Sequence, residues 1–191
     1  KEVVKVKKIL CMLLACMLCV STLGGCGLSS YILHREDSIE GAEFLNDLND
    51  FPEISKKKEI LFDAIDTELS KNGFIMTDVE HLIAYMDVGP TIAVYYSSGE
   101  IGSKDFVFTL NFDVEDSEIK DLSVSCKKSI LNDYPNLFTS VSKAVLCSSA
   151  FTFSESDINN FIVAKGSWDL QAYELNIKEN DEYMMMSLEH N

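Results

Sequence analysis

The sequence predicts an α+β domain, an antiparallel sheet of about five strands with helices packed on one face. Three observations lead there. Between residues 91 and 126 apolar side chains recur at every second position in three consecutive segments. On either side of that block they recur at helical spacing instead. Strands and helices also come in runs rather than in strict alternation, which is the order of α+β and not of parallel α/β architecture.

Taken in order, the first helix is expected over residues 54–72, where Ile54, Leu61, Ala64, Ile65 and Leu69 share a face, with Pro52 at the entry and Asn72-Gly73 as the stop. Residues 77–88 carry two patterns. Thr77-Asp78-Val79-Glu80 resembles a capping box, and Val79, Leu82, Ile83 and Met86 keep helical spacing up to Gly89-Pro90, so the balance falls slightly to helix over a strand. Three strands follow: Ile92, Val94 and Tyr96 alternate, then Phe106, Phe108, Leu110 and Phe112, then Leu122, Val124 and Cys126. Their links, residues 98–104 and 114–118, are of hairpin length. Leu137, Val141, Ala144 and Val145 restore helical spacing, and Ser154-Glu155-Ser156-Asp157 opens another helix carrying Ile158, Phe161 and Ile162. Residues 168–177 and 183–188, around the polar turn 178–182, read as a closing hairpin.

The N-terminal segment has a different character. Lys1, Lys5, Lys7 and Lys8 precede an apolar stretch over residues 9–20, and Leu23-Gly24-Gly25-Cys26 follows, which is the order of a secretory signal. The stretch is shorter than the roughly 20 residues that span a bilayer. The tetrad resembles the lipobox of bacterial lipoproteins. That resemblance implies a diacylglyceryl group on the Cys26 thiol, cleavage in front of it, and a chain held at the extracytoplasmic face of the cell membrane. Two acyl chains anchor stably where one binds only marginally. On this reading residues 1–25 are a lipoprotein signal peptide, 26–52 a lipidated tether with a short helical turn near 44–48, and 53–191 a single α+β domain. As flexible coil the tether reaches about 25–30 Å.

Charge narrows the partners. The chain holds 16 Lys and Arg against 31 Asp and Glu, and residues 1–25 take four Lys and one Glu with them, leaving 12 against 30, or −18, from Cys26 onward. Such a surface repels phosphate backbones, which excludes nucleic acid as the expected partner. It also repels anionic headgroups, so the lipid on Cys26 tethers the domain while electrostatics hold it off the bilayer. An unknown envelope protein or a small ligand remains as the expected partner.

Signatures of catalysis are absent or unselective. His34 falls in the tether and His190 is next to last, so His81 is the histidine placed to serve a catalytic group, and no Gly-x-Ser-x-Gly accompanies it. Ser-x-x-Lys occurs four times, at Ser55/Lys58, Ser117/Lys120, Ser125/Lys128 and Ser140/Lys143, without the Ser-Asp-Asn and Lys-Thr-Gly elements that give it meaning. Asp113, Glu115, Asp116 and Glu118 offer oxygens to Ca²⁺, but an EF-hand needs Gly at its sixth position, which here is Glu118. Met184-Met185-Met186 with His190 suggests Cu(I), yet in a strand Met185 faces away from its neighbours. No cofactor and no metal site is expected.

Cys126 and Cys147 are the candidate disulfide of the folded part, two separately buried thiols being the alternative. Trp168, with Tyr95, Tyr96 and Tyr173 on strands, is the candidate aromatic platform for a ligand, against plain core packing. The expected function is a membrane-anchored lipoprotein with a non-catalytic ligand- or protein-binding domain. The alternatives are an envelope hydrolase using carboxylates with or without His81, and an acidic inhibitor or protective factor.

Overall fold

Alternating residues of a strand point to opposite faces of its sheet, and the described helices of this chain pack on one of them. The computed structural model describes residues 42–76, 79–86, 90–98, 105–151, 153–170 and 172–191. The order is β1 (Ala42–Leu45), α1 (Pro52–Lys71), β2 (Glu80–Met86), β3 (Thr91–Ser97), β4 (Phe106–Asp113), β5 (Ile119–Lys127), α2 (Lys128–Leu131), α3 (Leu137–Leu146), α4 (Glu155–Ala164), β6 (Gly166–Leu170), β7 (Tyr173–Glu179) and β8 (Tyr183–His190). The fold is mixed α+β with an antiparallel sheet. That sheet has eight strands, not about five, in the order β1-β2-β3-β4-β5-β8-β7-β6. Beyond β5 the chain runs through three helices, enters the far edge as β6 and returns inward by two hairpins, so that β8 pairs with β5.

Three differences account for the extra strands. Residues 80–86 are strand β2, not helix, and pair with β3 along their whole length. Leu82, Ala84 and Met86 point to one face and Ile83 and Tyr85 to the other, so the strand is apolar on both sides and its run of hydrophobic residues imitates helical spacing. Thr77 and Asp78 of the expected capping box lie outside the described residues. The turn expected near 44–48 is instead strand β1, paired with β2 from Ala42↔Met86 to Leu45↔Ile83, so the sheet begins before residue 53. Finally, residues 168–177 split into β6 and β7, with Leu170 paired to Tyr173. Gln171-Ala172 separates them without the Gly, Pro, Asn or Asp that announce a turn.

Helix α1 matches expectation. Pro52 occupies its first turn, where a missing N–H costs nothing, Glu53 complements the dipole, and Ile54, Leu61, Ile65 and Leu69 are buried. Its end is a Schellman motif: Gly73 N donates to Ser70 O at 3.0 Å and Phe74 N to Leu69 O at 2.9 Å. Gly73 has φ of +71°, and a Cβ added there meets nothing within 4 Å, so the requirement for glycine is purely conformational. Gly73→Ala is therefore expected to destabilise the fold by about 1 kcal/mol, read as a lowered urea midpoint with an unchanged m-value.

Helices cover one face. Phe106, Phe108, Leu110 and Phe112 of β4 are fully buried, as are Ile92 and Val94 of β3, Val124 and Cys126 of β5, and Leu188 and Met186 of β8. Register places them all on the same side. The Phe62 ring of α1 lies 5.9 Å from that of Phe108, while Phe161 of α4 lies 4.8 Å from Trp168 of β6. Helix α3 packs between α1 and α4 and buries Leu137, Phe138, Val141, Val145 and Leu146. A bulge at Lys120 lets Ile119 and Leu122, three positions apart, both face this core. It also turns Asp121 to the opposite face, against Asn111.

Candidate functional site

The other face of β4 to β6 carries short polar residues in transverse rows, because hydrogen-bonded register sets equivalent positions side by side. One row runs Thr109, Ser123, Ser187, Asn176, Ser167. Thr109 Oγ1 and Ser123 Oγ share a hydrogen bond of 2.6 Å, and the Ser167 hydroxyl donates to Asn176 Oδ1. The next row runs Asn111, Asp121, Glu189, Glu174, Asp169, so four carboxylates stand in line across β5, β8, β7 and β6.

That line is electrostatically costly, since like charges directly opposite one another on a sheet repel. Partial burial, helped by the Glu189 charge, pushes the Asp121 carboxyl up to about 6 against the bond it accepts from Asn111 Nδ2 at 2.7 Å. Burial first and Glu174 second raise Glu189 as well, while Lys178 on β7 opposes them. Lys120 helps Asp121 little, since its ammonium is engaged by Asp113 at 2.9 Å. Where this face meets the edge, Ser167, Trp168, Asp169, Glu174 and Asn191 line an open recess of about 190 Å³. Ordinary ligand pockets begin at roughly 300 Å³, so the recess suits a single small group at most.

The residues singled out from sequence are dispersed. His81 lies on the helix-covered side at β2, its ring 5.3 Å from Phe62, and burial with the Lys58 charge holds its pKa below the usual histidine range. It is thus on the opposite side of the sheet from Asp121. Its neighbour Tyr96 donates to Asp66 Oδ1 of α1 at 2.5 Å, which ties helix to sheet, and burial raises the phenol. The lysines of the Ser-x-x-Lys pairs have other work: Lys143 pairs with Glu155, Lys128 with Glu179 and Lys120 with Asp113, while Lys58 sits 5.3 Å over the Phe62 ring.

The acids of residues 113–118 shape their own turn. Asp113 Oδ1 accepts from Glu115 N at 2.7 Å, Asp116 Oδ1 from Glu118 N at 2.9 Å, and Glu118 pairs with Lys57. Among the described residues no group of three or more His, Cys, Asp or Glu is disposed to hold a metal ion. Cys126 and Cys147 are free thiols, the first buried beneath the helices and the second exposed just after α3, and burial pushes the Cys126 thiol up to about 12. Met184 and Met186 face the helix side and Met185 the other, as a strand dictates.

Trp168 is half-buried, its ring tilted onto Phe161, and Tyr173 packs against Phe151 and Phe153 on that same side. Tyr95 points to the opposite face, so the four aromatic residues make no common platform. Cys26 lies outside the described residues. Among the described residues no helix is long and apolar enough to cross a membrane. The carboxylate row had no signal in the sequence, because register, which aligns Asp121, Glu189, Glu174 and Asp169, is set by hairpins far apart in the chain. No family model, curated protein or solved structure matches the chain.

Proposed function

We propose that the protein is a lipoprotein anchored through Cys26 at the extracytoplasmic face of the cell membrane, whose domain binds another envelope protein or a small ligand without catalysis. The anchor rests on the basic and apolar N-terminal segment and on Leu23-Gly24-Gly25-Cys26. The observation that carries the binding reading is the polar sheet face opposite the helices, with hydroxyl, amide and carboxylate groups in register and a recess too small for an ordinary ligand pocket. A protein interface needs no enclosed cavity and carries about one hydrogen bond per 100–200 Å² of contact, for which these groups supply donors and acceptors.

A second reading, an envelope hydrolase, draws on the elevated Asp121 carboxyl facing Glu189, since a pair of carboxyls with a raised proton affinity is what acid–base hydrolysis uses. His81 takes no part in that version, being on the other face. The acidic row equally suits a blocking factor that meets a basic partner, for which binding weakens as salt rises.

One experiment separates these. Cells producing the protein are labelled with palmitate and a photo-crosslinking residue is placed at Ser187 on the polar face, or at Glu59 on α1 as control. Label in the mature protein that disappears in Cys26→Ala, with a discrete adduct from position 187 alone, is expected. Label that persists in Cys26→Ala sinks the anchor, and identical adducts from both positions sink the assignment of the polar face.

A further inference from the structure

A sheet is held by its cross-strand neighbours, and in the C-terminal half of this one three successive neighbours on one face are pairs of like charge. Asp121 stands opposite Glu189, Glu189 opposite Glu174, and Glu174 opposite Asp169. Among the described residues the compensating groups are few. Asn111 on β4 donates one hydrogen bond to Asp121, Asn176 Nδ2 donates to Glu174 Oε1 at 3.1 Å, and Asn191 Nδ2 reaches Asp169 Oδ1 at 3.4 Å. The cations that act on the row are Lys178 of β7, which opposes the rise of Glu189, and Lys120 of β5, already paired with Asp113. His190, the next residue along β8, turns to the helix side and meets the Tyr173 ring at 5.0 Å.

We propose that the Asp121–Glu189 contact in this row is a proton-responsive clasp: mild acid tightens β6, β7 and β8 onto β5, and neutral pH loosens them. The three strands form a unit that can respond together, because they are joined to one another by short hairpins and to the rest of the sheet through the single β5–β8 seam. The seam has Leu122, Val124 and Cys126 against Leu188, Met186 and Met184 on its helix side. Its other side holds the charge conflict, so proton uptake strengthens a contact that is already formed. The direction follows from linkage: a carboxyl that is harder to ionise folded than unfolded gives stability that is full in acid and lost as pH rises through its folded pKa. For Asp121 that loss runs from the 3.8 of an ordinary aspartate up to about 6 and is complete above it. The clasp is independent of both the anchor and the binding reading.

Amide hydrogen exchange on the purified full chain, with each rate divided by the intrinsic rate at the same pH, reads the clasp directly. Protection of β7 and β8 amides is expected to rise on the order of tenfold from pH 7.5 to pH 5, with little change in α1. Asp121→Asn keeps an oxygen for Asn111 and removes the charge, so its β7 and β8 protection should be higher at pH 7.5 and rise several-fold less on acidification, Glu189 alone continuing to respond. Glu59→Gln, a neutralised acid on the exposed side of α1, should behave as the unaltered chain. If Asp121→Asn does not fold, Glu189→Gln serves instead: it removes one responding acid and the like charge facing Asp121, leaves Asp121 partly buried, and should reduce the rise in part. A flat profile in the unaltered chain, a rise shared equally by α1, or a rise of undiminished size in Asp121→Asn or Glu189→Gln would overturn the proposal.

Discussion

Phe108→Ala is expected to cost about 3–5 kcal/mol, the range for removing a buried phenylalanine. Phe108 is fully buried near the middle of β4, opposite Tyr96 on one side and Val124 on the other. Its ring meets Phe62 of α1 edge-on, so the truncation withdraws apolar area from the sheet and a support from the helix above it. Neighbours cannot close the void cheaply, since Tyr96 is held by its bond to Asp66 and Phe62 by contacts to His81 and Tyr96. Against a typical total of about 5–15 kcal/mol, a loss of that size leaves a marginal fold. Urea unfolding followed by far-UV circular dichroism measures it, and a loss under about 1 kcal/mol would mean that Phe108 is not in the core.

The second large effect tests which way β5 faces. Val124→Lys places an ammonium against Phe108 and Met186 in the buried core beneath the helices, and the expected result is a chain that does not fold. Ser125→Lys, one residue along, points to the polar face between Val107 and Met185 and is expected to change stability by less than about 1 kcal/mol. Comparable melting temperatures for the two variants would reverse the sheet. The contrast is sharp because strand periodicity is two, so neighbours in sequence are on opposite sides.

What could be foreseen divides along the same periodicity. Phe106 to Phe112 alternate cleanly because one side of β4 is covered and the other is polar, and such a strand announces itself. Helix α1 was equally legible from Ile54 to the Asn72-Gly73 stop. β2 was not, since Leu82, Ala84 and Met86 oppose Ile83 and Tyr85 with apolar residues on both sides. β1 is four residues long, too brief for any period to emerge. The split between β6 and β7 escaped notice because Gln171-Ala172 has no turn chemistry. The acidic row is the clearest case of information that a linear string lacks: Asp121 and Glu189 become neighbours through a seam between strands 68 positions apart. Their high acid content was visible from composition, their alignment was not.

Last in chain order among the described strands, β8 lies in the interior of the sheet, flanked by β5 and β7. Until it arrives, β5 and β7 each present a bare ladder of N–H and C=O groups, and the nascent chain consists of two unjoined half-sheets. Synthesis from the N-terminus therefore cannot finish the hydrogen-bonded ladder piecemeal. Closure of the sheet waits for β8, so the β5–β8 seam is a late, long-range contact formed only once both half-sheets exist.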